Sequence, residues 1–116
     1  EQWNRGAYLV RHLGHCGECH TPRSSLGVLR ADMEMAGSRL GDEKIANISQ
    51  HRVDGIGRWS VRDIEYFLDI GMLPDGDFVG STMSAVIDDN TSRLTREDRI
   101  AIATYLKSIE AQQSLD

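Results

Sequence analysis

The chain has 116 residues, of which 40% are hydrophobic, and a formal net charge of −5 with a sequence pI of about 5.3. This length suits one domain with a small core. The acidic balance argues against a nucleic-acid binder, and no apolar run approaches the ~20 residues that a membrane-spanning helix needs.

The first predicted element is a helix over residues 4–13. Ala7, Tyr8 and Val10 recur at helical spacing and give it an imperfect apolar face. This helix leads the chain directly to the motif that follows.

Cys16-Gly17-Glu18-Cys19-His20 matches C-x-x-C-H, the attachment sequence for c-type haem. If the segment is helical, Cys16 and Cys19 lie three residues apart on one face, where both thiols reach the vinyl groups of one porphyrin. His20 follows on the same face and is predicted to be the proximal iron ligand.

Two other uses of such a cysteine pair remain open. A thioredoxin-type dithiol would need a preceding strand, whereas the apolar run before the motif is short and helical. A structural zinc site needs four ligands, so His12, His15 or His51 would have to complete a mixed set with the two cysteines. Because these histidines lack the paired spacing of a zinc finger, haem attachment is the favoured interpretation.

Thr21-Pro22 ends the helix after the motif, since proline has no amide hydrogen and restricts the residue before it. We predict a long irregular stretch over residues 23–59, which contains five glycines and no sustained strand alternation. An irregular stretch of this length needs a ligand to organise it, and a haem with its propionates would do so.

Capping signals predict two further helices. Ser60 and Asp63 form a capping box before a helix that ends at Gly71. Thr95 and Asp98 form a second capping box before the last helix. Four residues share the apolar face of that last helix: Ile102, Tyr105, Leu106 and Ile109.

Residues 63–92 form an acidic segment with seven acids and no lysine or arginine. Such a segment is either a solvated surface or an electrostatic guide for a basic partner near the point of electron exit.

We predict that residues 73–87 form a loop that brings a sixth ligand to the iron. Pro74-Asp75-Gly76-Asp77 is a strong turn signal, and Met83 follows in a stretch rich in glycine and serine. The Met83 thioether is the preferred ligand, with His51 as its main rival. The other methionines are predicted to pack in the haem wall or the core: Met33, Met35 and Met72.

Several short pieces, in order, resemble monohaem cytochrome c domains of multihaem subunits from bacterial membrane-bound alcohol, gluconate and aldehyde dehydrogenases. They are Arg5-Gly6-Ala7-Tyr8-Leu9-Val10, Leu13-Gly14-His15-Cys16 through Arg23, Asn47-Ile48, Gly55-Ile56-Gly57-Arg58-Trp59-Ser60, Asp75-Gly76-Asp77-Phe78-Val79-Gly80, Met83 and Thr104-Tyr105-Leu106-Lys107-Ser108. The resemblance implies an all-α, class I-like cytochrome c fold, with three to five helices and long loops wrapped around one covalently bound haem c. It also implies that residues 1–116 form a single domain, which we expect to be part of a longer multihaem chain.

The resemblance assigns roles to particular residues. It implies that His20 and Met83 bind the iron, and that the first and last helices cross with Gly6 against Tyr105. It suggests that the Pro22 carbonyl accepts the Nδ1 proton of His20.

Two other haem contacts are implied by the resemblance. Trp59 is expected to donate to a propionate and Arg23 to contact the haem, although Pro22 as a helix stop and Trp59 as a core residue remain alternatives. One departure is Ala46, which stands where many relatives have proline.

The predicted function is electron transfer from a dehydrogenase or neighbouring haem to a downstream acceptor, with no substrate transformed. The alternative is a haem enzyme domain whose open or displaceable sixth ligand allows action on a small sulfur compound or peroxide. We expect a redox protein partner, no nucleic acid, and membrane association only through a partner or a missing segment. Covalent haem attachment takes place outside the cytoplasm, so we expect a periplasmic protein whose leader was removed or whose preceding domain was cut away.

Overall fold

Helices separated by long loops make up the protein, as a computed structural model shows for residues 2–40 and 43–114. Glu1, Gly41, Asp42, Leu115 and Asp116 lie outside the described residues. Within them there are five α-helices and one antiparallel hairpin: α1 (Gln2–Tyr8), α2 (Cys16–His20), β1 (Ser38–Leu40), β2 (Glu43–Ile45), α3 (Val61–Ile70), α4 (Ser81–Asp89) and α5 (Arg96–Leu106). The predicted all-α fold class is therefore confirmed.

The first and last helices cross at Gly6. A Cβ added at Gly6 would lie 2.0 Å from the backbone oxygen of Ala101 and 2.9 Å from the Cβ of Tyr105, so only glycine permits this approach. The predicted crossing of Gly6 against Tyr105 is confirmed. The hydrophobic core surrounds this helix crossing, and Tyr105 is only 1% exposed.

The first predicted helix is present in two parts. Residues Gln2–Tyr8 form α1, and the chain continues as a π-helical turn at Leu9–Leu13. The buried side chains of Leu9 and Val10 pack in the core, so this turn joins α1 to the motif without leaving the interior.

The capping box and the end of α3 are confirmed. The Ser60 hydroxyl accepts from the Asp63 amide at 3.0 Å, and the Ser60 amide donates to the Asp63 carboxylate at 2.9 Å. Gly71 ends the helix with a φ of 78°, a left-handed conformation that glycine adopts without strain.

The second predicted capping box is wrong in one half. The Thr95 hydroxyl accepts from the Asp98 amide at 3.1 Å, as expected for the N-cap of α5. The Asp98 carboxylate, however, accepts two hydrogen bonds from Arg5 at 3.1 and 3.2 Å. The carboxylate that was expected to accept from the Thr95 amide is therefore bonded to the guanidinium of Arg5 on α1.

Two loop predictions are corrected. The stretch over residues 23–59 contains β1 and β2, whose three-residue strands are too short to show an alternating pattern. The loop predicted over residues 73–87 is wrong from residue 81 onward, because residues 81–89 form α4 with Gly80 as its N-cap. Glycine, serine and threonine signal loops but are also favoured at helix starts, which explains the error. Met83 consequently lies on a helix.

Candidate functional site

The C-x-x-C-H motif forms α2, which follows a left-handed residue, His15, with a φ of 51°. Both cysteines on this helix have free thiols, and Cys16 is half-buried while Cys19 is exposed. Burial raises the pKa of the Cys16 thiol to about 11, so this thiol is neutral at pH 7. Two unpaired thiols three residues apart on one helix fit a group that forms thioethers with both.

A backbone carbonyl fixes the ring of His20. Its Nδ1 lies 2.7 Å from the carbonyl oxygen of Ala46. Because a carbonyl can only accept, Nδ1 carries the proton and Nε2 keeps its lone pair. Burial lowers the pKa of His20, although the bond to Ala46 acts in the opposite direction, so the ring is neutral at pH 7. A neutral imidazole with a free Nε2 is the form that binds a metal.

The expected bond between His20 and the Pro22 carbonyl is wrong. The Pro22 carbonyl accepts from the Arg30 amide at 2.8 Å, next to a bridge between Arg23 and Leu29. The acceptor for His20 comes instead from Ala46, the position at which the sequence departs from the family pattern. The departure leaves the acceptor intact, because every residue carries a backbone carbonyl.

His51 is not arranged as a metal ligand. Its Nδ1 accepts from the amides of Val53 at 3.3 Å and Asp54 at 2.9 Å. In the neutral ring the proton then lies on Nε2, so neither nitrogen has a lone pair available for iron. Met83, the other candidate, is half-buried on α4.

Trp59 and Arg23, which were predicted to contact the haem, interact with other protein residues in the structure. The Trp59 ring packs edge-on against Phe67 with centroids 5.5 Å apart. Arg23 donates to the Gly27 carbonyl at 2.9 Å and lies 3.9 Å from the carboxylate of Glu18. Contacts of Trp59, Arg23 and Pro22 with haem stay predictions.

A cavity of about 420 Å³ lies beside α2, along the side formed by Gly17 and Thr21. Its apolar wall includes Leu29 and Met35. Met35 is fully buried, which confirms its predicted packing role. Gly17 and Glu18 of the C-x-x-C-H motif line this cavity, whereas the cysteines and His20 are not among its lining residues.

Three related proteins align with nearly the whole chain. It is 47% identical over 109 residues to a diheme cytochrome c-type protein of Cereibacter sphaeroides, and 38% identical over 112 residues to the fructose dehydrogenase cytochrome subunit of Gluconobacter japonicus. It is 37% identical over 118 residues to the gluconate 2-dehydrogenase cytochrome c subunit of Pantoea cypripedii. These alignments cover 92%, 97% and 95% of the chain. The chain is therefore similar, over nearly its whole length, to cytochrome c proteins.

The chain spans only part of these relatives, namely 35%, 23% and 26% of their respective lengths. No family model matches it. The printed names of these relatives describe cytochrome c proteins or cytochrome subunits of dehydrogenases. The relatives give no support to the alternative of a haem enzyme.

The two other interpretations of the cysteine pair lack structural support. In residues 2–40 and 43–114, no three His, Cys, Asp or Glu side chains come together in a way that could hold a metal ion such as zinc. The cytochrome motif follows α1 and the π-helical turn rather than the strand that a thioredoxin-type dithiol requires. Of the helices in the described ranges, none has the length and apolar character to span a membrane.

Proposed function

We propose that this domain transfers electrons through a haem iron held between His20 and Met83. The observation that carries the proposal is the state of His20, whose Nδ1 is bonded to the Ala46 carbonyl, which leaves the lone pair on Nε2. His20 lies on the same five-residue helix as the two thiols of Cys16 and Cys19, which would attach the porphyrin. The bound haem supplies a one-electron iron couple.

Met83 fills the second axial position in this proposal. A thioether raises the reduction potential relative to a second imidazole, and we expect a positive potential. Met83 is half-buried on α4, whereas the nitrogens of His51 are engaged with backbone amides or protonated. With both axial positions filled, no coordination position remains for a small substrate.

Three further residues are proposed to contact the haem: Pro22, Arg23 and Trp59. Pro22 is buried close to His20 in the chain, and Trp59 is half-buried beside Phe67. Arg23 is exposed, and its contacts with Gly27 and Glu18 are those of a surface side chain that can be redirected to a propionate.

We propose a dehydrogenase or a neighbouring haem as the electron donor and a downstream redox protein as the acceptor. Two relatives are cytochrome subunits of a fructose dehydrogenase and a gluconate 2-dehydrogenase, and a third is a diheme protein. The single C-x-x-C-H motif supports one haem in these 116 residues, within a longer multihaem chain. Covalent haem attachment supports a periplasmic location, or one at the periplasmic face of the inner membrane.

The test is an optical spectrum of the haem-loaded protein, oxidised and reduced, for the parent, Met83→Ala and Met83→His. The oxidised parent should show the weak far-red charge-transfer band of methionine-ligated iron, and both variants should lose it. Met33→Leu, which changes another half-buried methionine, is the matched control and should keep the band. A parent that lacks the band and binds cyanide readily would contradict the proposal.

A further inference from the structure

The segment that follows α5 is bonded to the loop after β2. The Gln112 carbonyl accepts from the Asn47 side-chain amide at 2.7 Å and from the Ser49 hydroxyl at 3.2 Å. The Gln112 amide donates back to the Ser49 hydroxyl at 2.9 Å. Residues 112–114 are called the C-terminal strap below.

A second residue of the C-terminal strap strengthens this attachment. The Ser114 hydroxyl accepts from Asn47 at 3.1 Å, and the Ser114 amide donates to the carboxylate of Asp54 at 3.0 Å. Two of the three loop side chains that meet the strap are deeply buried, with Asn47 6% and Ser49 0% exposed. Buried polar groups that lose their partners cost free energy, so the strap and the loop hold each other in place.

This attachment lies directly beside the carbonyl that holds His20. Ala46 precedes Asn47, and its carbonyl accepts from the His20 ring. On the upstream side, Ile45 pairs with Ser38, whose hydroxyl donates to the Cys19 carbonyl. The Ala46 carbonyl is therefore positioned from the hairpin on one side and from the C-terminal strap on the other.

We propose that the C-terminal strap positions the proximal histidine of this cytochrome c domain. The strap holds Asn47 and Ser49, and through them the Ala46 carbonyl that orients the His20 ring. Asn47, Ser49 and Gln112 are positioning residues in this scheme. The inference rests on the proposed role of His20 as an iron ligand.

The strap also affects the redox chemistry through this hydrogen bond. A bond from Nδ1 to a carbonyl makes an imidazole more basic, which favours the oxidised iron. A loosened strap weakens the bond, so the reduction potential rises. The position of residues 112–114 is thereby linked to the potential of a haem held on α2.

The experiment removes the hydrogen bonds between the loop and the C-terminal strap, first by a change in the loop and then by a change in the strap, in the chain loaded with haem. Ser49→Ala removes the hydroxyl on the loop, and Gln112→Pro removes the amide hydrogen on the strap. Gln113→Pro is the matched control, because Gln113 is exposed and its amide has no hydrogen bond within the described residues. NMR of the reduced protein measures exchange of the His20 Nδ1 proton, and voltammetry measures the potential.

Gln112→Pro should speed exchange of the Nδ1 proton about fivefold, the equivalent of one lost hydrogen bond, and raise the potential. Ser49→Ala should do so at least as strongly, because it removes both hydrogen bonds between the Ser49 hydroxyl and Gln112. The double variant should exceed Ser49→Ala by little, because Ser49→Ala already removes the bond that Gln112→Pro breaks. Gln113→Pro should match the parent. Thr91→Val, which loses a buried bond to the Leu68 carbonyl, should lower stability without changing the exchange rate or the potential.

The possible failures are distinguishable. A methionine-ligated parent whose Nδ1 exchange and potential do not change in Ser49→Ala and Gln112→Pro overturns the role of the strap alone. A parent without the methionine-ligated spectrum overturns the axial ligands and the role of the strap together. If the proline change impairs folding, Ser49→Ala compared with Thr91→Val decides the question.

Discussion

At the scale of single residues, Glu65 and Arg99 form a buried ion pair between α3 and α5. The Arg99 Nε lies 2.9 Å from the Glu65 carboxylate, and the two side chains are 10% and 9% exposed. Arg99 also lies 3.7 Å from Asp69. Removing one member of such a pair is costly, because the remaining charge stays buried with less compensation.

Replacing this glutamate should therefore destabilise the domain markedly. We expect Glu65→Gln to lower the free energy of unfolding by about 3 kcal/mol, as measured by chemical denaturation of the haem-loaded protein. Arg96→Ala is the control, since Arg96 is 68% exposed and lies 3.9 Å from the same carboxylate. Its cost should be below ~0.5 kcal/mol. Equal losses in the two variants would show that burial does not set the strength of this interaction.

At the scale of helices, the contact between α1 and α5 depends on the missing side chain of Gly6. An alanine there would bring its Cβ to 2.0 Å from the Ala101 oxygen, which is backbone and cannot rotate away. The helices must then separate, and the surrounding core loses its packing.

Gly6→Ala should lower the free energy of unfolding by about 3 kcal/mol, the upper part of the range for overpacked cores. Gly17→Ala, on α2, is the matched control, because its Cβ would meet no atom closer than 3.4 Å, the hydroxyl of Thr21. The Gly17→Ala variant should unfold at the same midpoint denaturant concentration as the parent protein, or at a slightly higher one. A Gly6→Ala variant as stable as the Gly17→Ala variant would refute the close-contact argument.

Features with a local signal in the sequence could be predicted at this scale. The box at Ser60 and the glycine at the end of α3 act within one helical turn, so neighbouring residues suffice to reveal them. The start of α4 could not be distinguished from a loop, because Gly80 and the residues after it suit both.

Contacts between distant parts of the chain left no such signal. The thiols and ring of α2 follow from its motif, but the acceptor for His20 is the backbone carbonyl of Ala46, 26 residues further along. A backbone carbonyl is present at every position, so the sequence does not reveal which one will accept this bond. The partner of Asp98 was equally hidden, because its carboxylate bonds to Arg5, which lies on α1 and far away in the sequence.

At the scale of the whole molecule, the acidic segment presents less charge than its composition suggests. Asp63 caps α3, and Glu65 and Asp69 face Arg99. Four acids of the segment remain exposed and form no ion pair with the part of the chain that the structure describes. They are Asp75, Asp77, Asp88 and Asp89. The surface that would guide a basic partner therefore consists of these four carboxylates.

This surface should attract a cationic redox partner. Stopped-flow reduction of the oxidised domain by hexaammineruthenium(II) should slow as ionic strength rises, because salt screens exposed charges. Asp89→Asn should lower the rate at low salt and flatten its salt dependence. Glu97→Gln, which removes an exposed charge on α5 outside the segment, should have a smaller effect. Rates that are flat or rise with salt would contradict the guiding role.

The close contact at Gly6 also limits how the chain can change in length. Gly6 is fixed in rotation against α5, and Leu9 and Val10, which follow within about one turn, are buried in the core. Each residue of an α-helix adds about 100° of rotation and ~1.5 Å of rise, so one residue inserted or deleted between Gly6 and Leu9 would turn these side chains away from the core. The π-helical turn at Leu9–Leu13 already contains the one-residue excess that such a turn can absorb. Insertions and deletions should therefore be excluded between Gly6 and Val10, even where the exposed side chains in that interval are free to vary.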